Sequence, residues 1–188
     1  MFEELHRKMN AFWNNDRTLA QTDPEFVRFF SDFAYGEVVN EPKANHPDLD
    51  DKTRSLAILA ALVGCQGLDA FEMMLPVAYE TGLASTAIKE MVYQATAYCG
   101  FGRVLPFLKK LNDFLGAENV HLPLAAQSTT TPETRMEAGE SKQMEIFGDR
   151  MHGFAQSGPE ETRHINAWLV DNCFGDYYTR GGLSTRER

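Results

Sequence analysis

Cysteine is scarce in this chain: Cys65, Cys99 and Cys173 are the only three in 188 residues. They show neither C-x-x-C spacing nor an even-numbered framework, which argues against a disulfide scaffold and suits a reducing compartment. Long apolar runs are missing as well. The longest, 56–63, falls far short of the roughly 20 residues that cross a bilayer. Residues 1–13 alternate in charge and have no apolar centre of a secretory signal. No membrane partner is expected, and the expected address is the cytoplasm. Basic charge is in deficit: 18 Lys and Arg against 27 Asp and Glu leave a formal net charge of −9. Without a strongly basic stretch to release counterions from a phosphate backbone, nucleic acid is not an expected partner. The five histidines, His6, His46, His121, His152 and His164, form no H-x-x-x-H or H-E-x-x-H pattern. No metal is expected, and the absence of a phosphate loop or dinucleotide fingerprint leaves no expected cofactor.

What the chain does have is helical periodicity, concentrated in residues 52–115. Leu56, Leu59 and Val63 share one face, with Ile58 and Leu62 beside it, before Gly64 and Gly67 interrupt. Leu68, Phe71, Leu75 and Ala78 mark a second helix that ends at Gly82. Ser85 is placed to cap a third, in which Ile88, Met91, Val92, Ala95 and Cys99 keep to one face. Gly100 and Gly102 separate it from a fourth carrying Leu105, Leu108, Leu111 and Leu115. The expected fold class is all-α.

Upstream, Phe2, Leu5, Met9, Phe12 and Trp13 read as an amphipathic helix. Asp23-Pro24-Glu25 reads as a helix start, with a capping Asp, Pro in the first turn and an acid near the positive end of the dipole. Phe26, Phe29, Phe30 and Phe33 then form an aromatic stripe expected in the core. Residues 40–51 hold two Pro and read as a loop. After Gly116, residues 119–135 are rich in Pro and Thr and read as a linker between a repeat at 1–118 and a second unit at 136–188.

That second unit resembles the beginning of the first. A shift of 135 residues pairs Met9 with Met144, Phe12 with Phe147, Ala20-Gln21-Thr22 with Ala155-Gln156-Ser157, and Pro24-Glu25 with Pro159-Glu160. With a small insertion, Tyr35-Gly36-Glu37 pairs with Phe174-Gly175-Asp176, and Leu49 to Arg54 with Leu183 to Arg186. The second copy stops at Arg188, where its first central helix would begin. Its helices, around 144–154 and 165–173, carry apolar stripes without a central bundle of their own. Stripes of that kind predict self-association into a homo-oligomer.

The order LDDKTRSLAILAALVG, acidic helix, LASTAIKEMVYQATAYCGFGR over residues 49–103 resembles the carboxymuconolactone decarboxylase family, in a tandem-repeat form. The resemblance implies an all-helical fold shared with alkylhydroperoxidase-D-like proteins, assembly into rings of subunits, and activity on a small carboxylated lactone. It also implies where a site would lie. Family members present a His eight residues before the terminal Gly of the second central helix, and that place here is Met74. A thioether is neither acid nor base. The peroxidase branch needs a C-x-x-C pair and an acid one helix earlier, and those places are Gly67, Ala70 and Ser55. Thiol peroxidase activity is the less favoured reading for that reason.

Decarboxylation requires a group to hold the departing electrons and a donor for the carbanion. Glu72, two residues before Met74, is the nearest candidate acid, and otherwise a solvated surface Glu. Tyr98 and Arg103 flank the Gly100 turn and are candidates to orient a substrate carboxylate, with Met74 a further wall of that site. Glu187 follows Thr185-Arg186 where the family places its acid, and is the second catalytic candidate. Cys65, at the turn between helices, reads as a small buried apolar residue, and Cys99 as packing. The alternative to an enzyme is a non-catalytic oligomeric scaffold or remnant.

Overall fold

The computed structural model describes residues 11–13, 18–40 and 49–188; the amphipathic helix expected over 2–13 and the loop expected over 40–51 lie largely outside them. The described residues contain helices and no strands. After a short turn of helix at Leu19–Thr22, the first helix, α1, runs Pro24–Ser31 and continues as a π-helical segment, Asp32–Val38. Four longer helices follow: α2 Asp51–Gly64, α3 Leu68–Glu80, α4 Ser85–Cys99 and α5 Phe101–Ala117.

Local chemistry sets the ends of these helices. Asp50 caps α2 by accepting the Thr53 backbone N–H at 2.7 Å, which satisfies one of the four unpaired donors of a helix start. Gly82 and Gly100 take the positive φ values of 78° and 81° that end α3 and α4, a backbone conformation glycine adopts without a Cβ clash. Two expected caps are absent. Ser85 is the first residue of α4 rather than its cap, and the preceding Ala84 has no side-chain acceptor. Asp23 precedes Pro24 without capping α1, and its carboxylate accepts the Thr22 hydroxyl at 2.6 Å instead. Gly102 lies inside α5, so Gly100 alone makes the break.

The core is the space between α2, α3, α4 and α5. Leu59, Val63, Phe71, Leu75, Ile88, Val92, Leu111 and Leu115 are wholly or almost wholly buried there. Phe71 meets Phe107 edge to face at 5.2 Å, tying α3 to α5. The Phe stripe of α1 is a correction. Phe26, Phe29 and Phe33 are 50%, 54% and 59% exposed, and Phe30 alone among the four is half-buried, packed on the core. The helix lays its Phe30 edge on the bundle, and no described element covers the opposite side. Cys65 is the second correction: it is exposed, since the chain turns outward at Gln66 on leaving α2.

The C-terminal part folds back on this bundle. Helix α6, Arg135–Phe147, begins earlier and ends earlier than its apolar stripe suggests, and three short 3-10 turns follow. Helix α7, Arg163–Trp168, runs on into a second π-helical segment, Leu169–Tyr178. The paired stretches Tyr35-Gly36-Glu37 and Phe174-Gly175-Asp176 both fall in π-helical continuations of an α-helix. Helix α6 crosses the second of these at glycines: a Cβ on Gly139 would stand 2.0 Å from the Val170 carbonyl, and one on Gly175 2.1 Å from that of Arg135. Arg135 bridges Asp171 and Asp176 across the same crossing, at 3.1 and 2.8 Å.

The tail after Tyr178 lies along α4, whose Glu90, Gln94 and Tyr98 stand one helical turn apart on one face. Arg180 pairs with Glu90, Arg188 donates to Gln94 at 3.1 Å, and the hydroxyl of Tyr178 meets that of Tyr98. No helix among the described residues is long and apolar enough to cross a membrane.

Candidate functional site

The π-helical end of α1 stands off from α2 and α3, and the space between them is a cavity of ≈ 420 Å³. Its walls are overwhelmingly apolar: Phe30, Phe33 and Val38 from the first segment, Ile58 and Leu62 from α2, Met74 and Val77 from α3. Phe12 closes one side, stacked on Phe30 at 5.8 Å and against Tyr35 at 6.0 Å. Trp13 holds this corner by donating its indole N–H to Ser31 Oγ at 2.9 Å.

The polar groups on the wall are few. Arg54 reaches in from α2, and its Nη1 donates to Asp51 Oδ1 at 2.7 Å one turn back. Its Nε and Nη2 are buried with no hydrogen-bond partner among the described residues. An unpaired guanidinium donor in a dry site costs free energy until a ligand or water fills it. Ser55 and Tyr35, 4% and 8% exposed, add two hydroxyls. Burial pushes the Tyr35 pKa well up, so it presents a neutral O–H. With the Asp51 carboxylate facing Arg54, the remaining polar groups on the wall are N–H and O–H donors, which suits a ligand with an apolar body and a carboxylate or carbonyl acceptor.

The positions marked in the sequence scatter around this cavity. Ser55, Ala70 and Met74 all line it, whereas Gly67 does not. Glu72, on the same helix, faces elsewhere: it is 41% exposed and pairs with Lys110 of α5 at 2.6 Å. Tyr98 is exposed at the end of α4 against Tyr178, and Arg103 is exposed in the first turn of α5. Glu187 lines a different cavity, of ≈ 430 Å³, with Asp50, Thr53 and Met91. Ser184 holds its carboxylate below the usual range, first through the hydroxyl and then through the backbone N–H, both at 2.7 Å. The structure therefore brings Met74 together with Ser55 and Ala70, and leaves Glu72, Tyr98, Arg103 and Glu187 apart from them.

Arg54 and Tyr35, whose polar groups face this cavity, had no assigned role in the sequence reading. Arg54 stands one place before the family's acid position, so its spacing could have found it. Tyr35 had no signal beyond its share in the repeat. No group of three or more His, Cys, Asp or Glu among the described residues is placed to hold a metal ion.

Neither the curated proteins nor the solved structures gave a match to this chain. A family model did: the carboxymuconolactone decarboxylase family matches residues 24–113, from the first residue of α1 to within α5, which include every residue lining the α1–α3 cavity except Phe12. Over those residues, just under half of the chain, it is similar to the carboxymuconolactone decarboxylase family.

Proposed function

We propose that this chain is a decarboxylase-type protein acting on a small carboxylated lactone in the α1–α3 cavity, at a site whose acid–base groups have been replaced. The observation that carries the reading is convergence. Ser55, Ala70 and Met74, which stand where the family's catalytic groups are expected, line a single cavity of ligand size. In this reading Arg54 takes the substrate carboxylate, and the apolar walls strip it of water. Loss of CO2 leaves its bonding electrons on a carbon conjugated with the lactone carbonyl. The Tyr35 O–H then protonates that carbon and recovers its proton from solvent. A buried phenol is a weak acid, so turnover is expected to be slow.

The test is lactone consumption and CO2 release by the wild type, Met74→His and Met74→Trp. Met74→His restores a proton-transfer group and should raise turnover at least tenfold; Met74→Trp fills the cavity and should abolish it. Background rates in all three variants would overturn the enzymatic reading. Glu72→Gln is the companion variant. Its pairing with Lys110 away from the cavity supports an unchanged rate, and a tenfold loss would give Glu72 the role of acid.

The proposal includes a second copy of the repeat's beginning over residues 136–188, supported by the shared course from α-helix into π-helix. Glu187 is then an acid of that repeat, in its own cavity with Asp50, Thr53 and Met91. A non-catalytic scaffold is the second reading. It is favoured by the exposure of Phe26, Phe29, Phe33 and Trp168, the last 62% exposed, which suits a homo-oligomer. Light scattering showing a discrete oligomer together with background turnover would select it.

A further inference from the structure

A second pocket, of ≈ 120 Å³, lies on the other side of the bundle, between α4 and residues 123–127. Thr86, Lys89, Glu90 and Tyr93 form its α4 wall, and Arg180 enters from the C-terminal tail. Glu90 is the one carboxylate of the lining, and it is already engaged. Arg180 Nε and Nη2 donate to its two oxygens at 2.7 and 2.9 Å, and Arg188 Nη2 stands 3.8 Å away. Lys89 has no carboxylate partner among the described residues, and burial pulls its pKa down. Behind Glu90, two more donors are buried without a hydrogen bond, Gln94 Nε2 and Arg188 Nε. Glu187 also acts on Arg188, but Ser184 holds its carboxylate.

Lys89 and Arg180 thus set two cations against the single carboxylate of Glu90 in the lining, with Arg188 behind that carboxylate, around a small space whose polar side chains are mostly N–H and O–H donors. Water would leave that charge surplus in place, and a peptide would not fit. The volume equals about four waters, which matches an ion of five heavy atoms. We propose that this pocket binds a small oxyanion of phosphate size, held by Lys89, Arg180 and the Thr86 hydroxyl. Charge-assisted hydrogen bonds from a guanidinium and an ammonium are the usual means of holding such an ion. Lys89 and Thr86 stand within residues 24–113, whereas Arg180 and residues 123–127 lie outside them. A bound ion would therefore tie the C-terminal part to the bundle.

Thermal unfolding of the full chain in sodium phosphate, against sodium chloride at matched ionic strength, tests this, with isothermal titration of phosphate as the direct measurement. A ligand bound only by the folded state raises the midpoint in a saturable way. Phosphate should raise the wild-type midpoint and give a one-to-one heat, and both should be lost in Lys89→Met and weakened at least fivefold in Thr86→Val. Acetate should act more weakly than phosphate. An equal rise in chloride, an equal or larger rise in acetate, or a phosphate response intact in Lys89→Met would each overturn the proposal. Cleavage within residues 119–134 by limiting protease should slow in phosphate; an unchanged rate would overturn the tie between the two parts.

Discussion

Arg180 grips Glu90 with two hydrogen bonds, Nε to Oε2 at 2.7 Å and Nη2 to Oε1 at 2.9 Å. Glu90 is 2% exposed, on the face of α4 that receives the C-terminal tail. A carboxylate this deeply buried is stable only while paired. Removing one partner of a buried ion pair typically costs about 3–5 kcal/mol, because the other charge stays behind. The Arg180 side chain retains 21% exposure, so Arg180→Leu should fall at the lower end of that range. Glu90→Leu strands Arg188, whose side chain is 1% exposed, and should fall at the upper end. Urea unfolding of the two single variants and the double variant measures the coupling. Additive losses would show that the pair contributes nothing beyond its separate contacts.

Helix boundaries were the most legible part of this chain. Gly64, Gly82 and Gly100 mark the ends of α2, α3 and α4 because each stands where an apolar 3.6-residue period stops. The stripe Ile88, Met91, Val92 is likewise inward-facing, as its spacing demands. Periodicity names a face but not what covers it. Phe26, Phe29 and Phe33 make an aromatic face by spacing, yet no described element packs over them. Glu90 shows a complementary limit: its spacing marks it as a polar residue beside an apolar stripe, but the arginine that makes its burial tolerable stands ninety residues away. Of the cavity lining, Met74, Ser55 and Ala70 were marked by position in the sequence. Arg54 and Tyr35 became visible as wall residues once α1 was laid against α2.

The crossing of α6 with the π-helical segment at Leu169–Tyr178 depends on two missing side chains. A methyl group on Gly139 or on Gly175 would collide with a backbone carbonyl, at 2.0 and 2.1 Å. Backbone cannot rotate away as a side chain can, so the helices must separate. Overpacking usually costs about 1–3 kcal/mol, and Gly139→Ala and Gly175→Ala should reach the upper end or exceed it. Trp168 fluorescence and thermal unfolding report on this part of the molecule. Gly36, whose Cβ would meet nothing within 4 Å, provides the control: Gly36→Ala should be nearly neutral.

The three thiols should react in order of access. Cys65 is exposed, Cys99 is half-buried, and Cys173 is buried with its pKa pushed up by desolvation. Thiolate fraction and access both govern the rate of alkylation. Timed iodoacetamide labelling of the folded chain, read by mass spectrometry, should modify Cys65 first and Cys173 last. Early labelling of Cys173 would show that α6 and α7 open far more often than their packing suggests.

Acid should loosen the start of α2. The Asp50 carboxyl is held below its ordinary value, first by the Thr53 backbone N–H and then by the Thr53 side chain. A depressed carboxylate contributes stability in full above the unfolded-state value of about 3.9, and loses it as pH falls through the lower folded value. Glu187 is depressed in the same direction by Ser184 and adds to the same slope. Stability should therefore decline from about pH 5 downward. Asn caps a helix about as well as Asp but does not titrate, so Asp50→Asn should keep its stability at pH 7 and show a shallower fall below pH 5. Asp50→Ala should lose about 1 kcal/mol at pH 7. If Asp50→Asn retained the full wild-type slope, the acid sensitivity would belong to other carboxylates, with Glu187→Gln the next variant to measure.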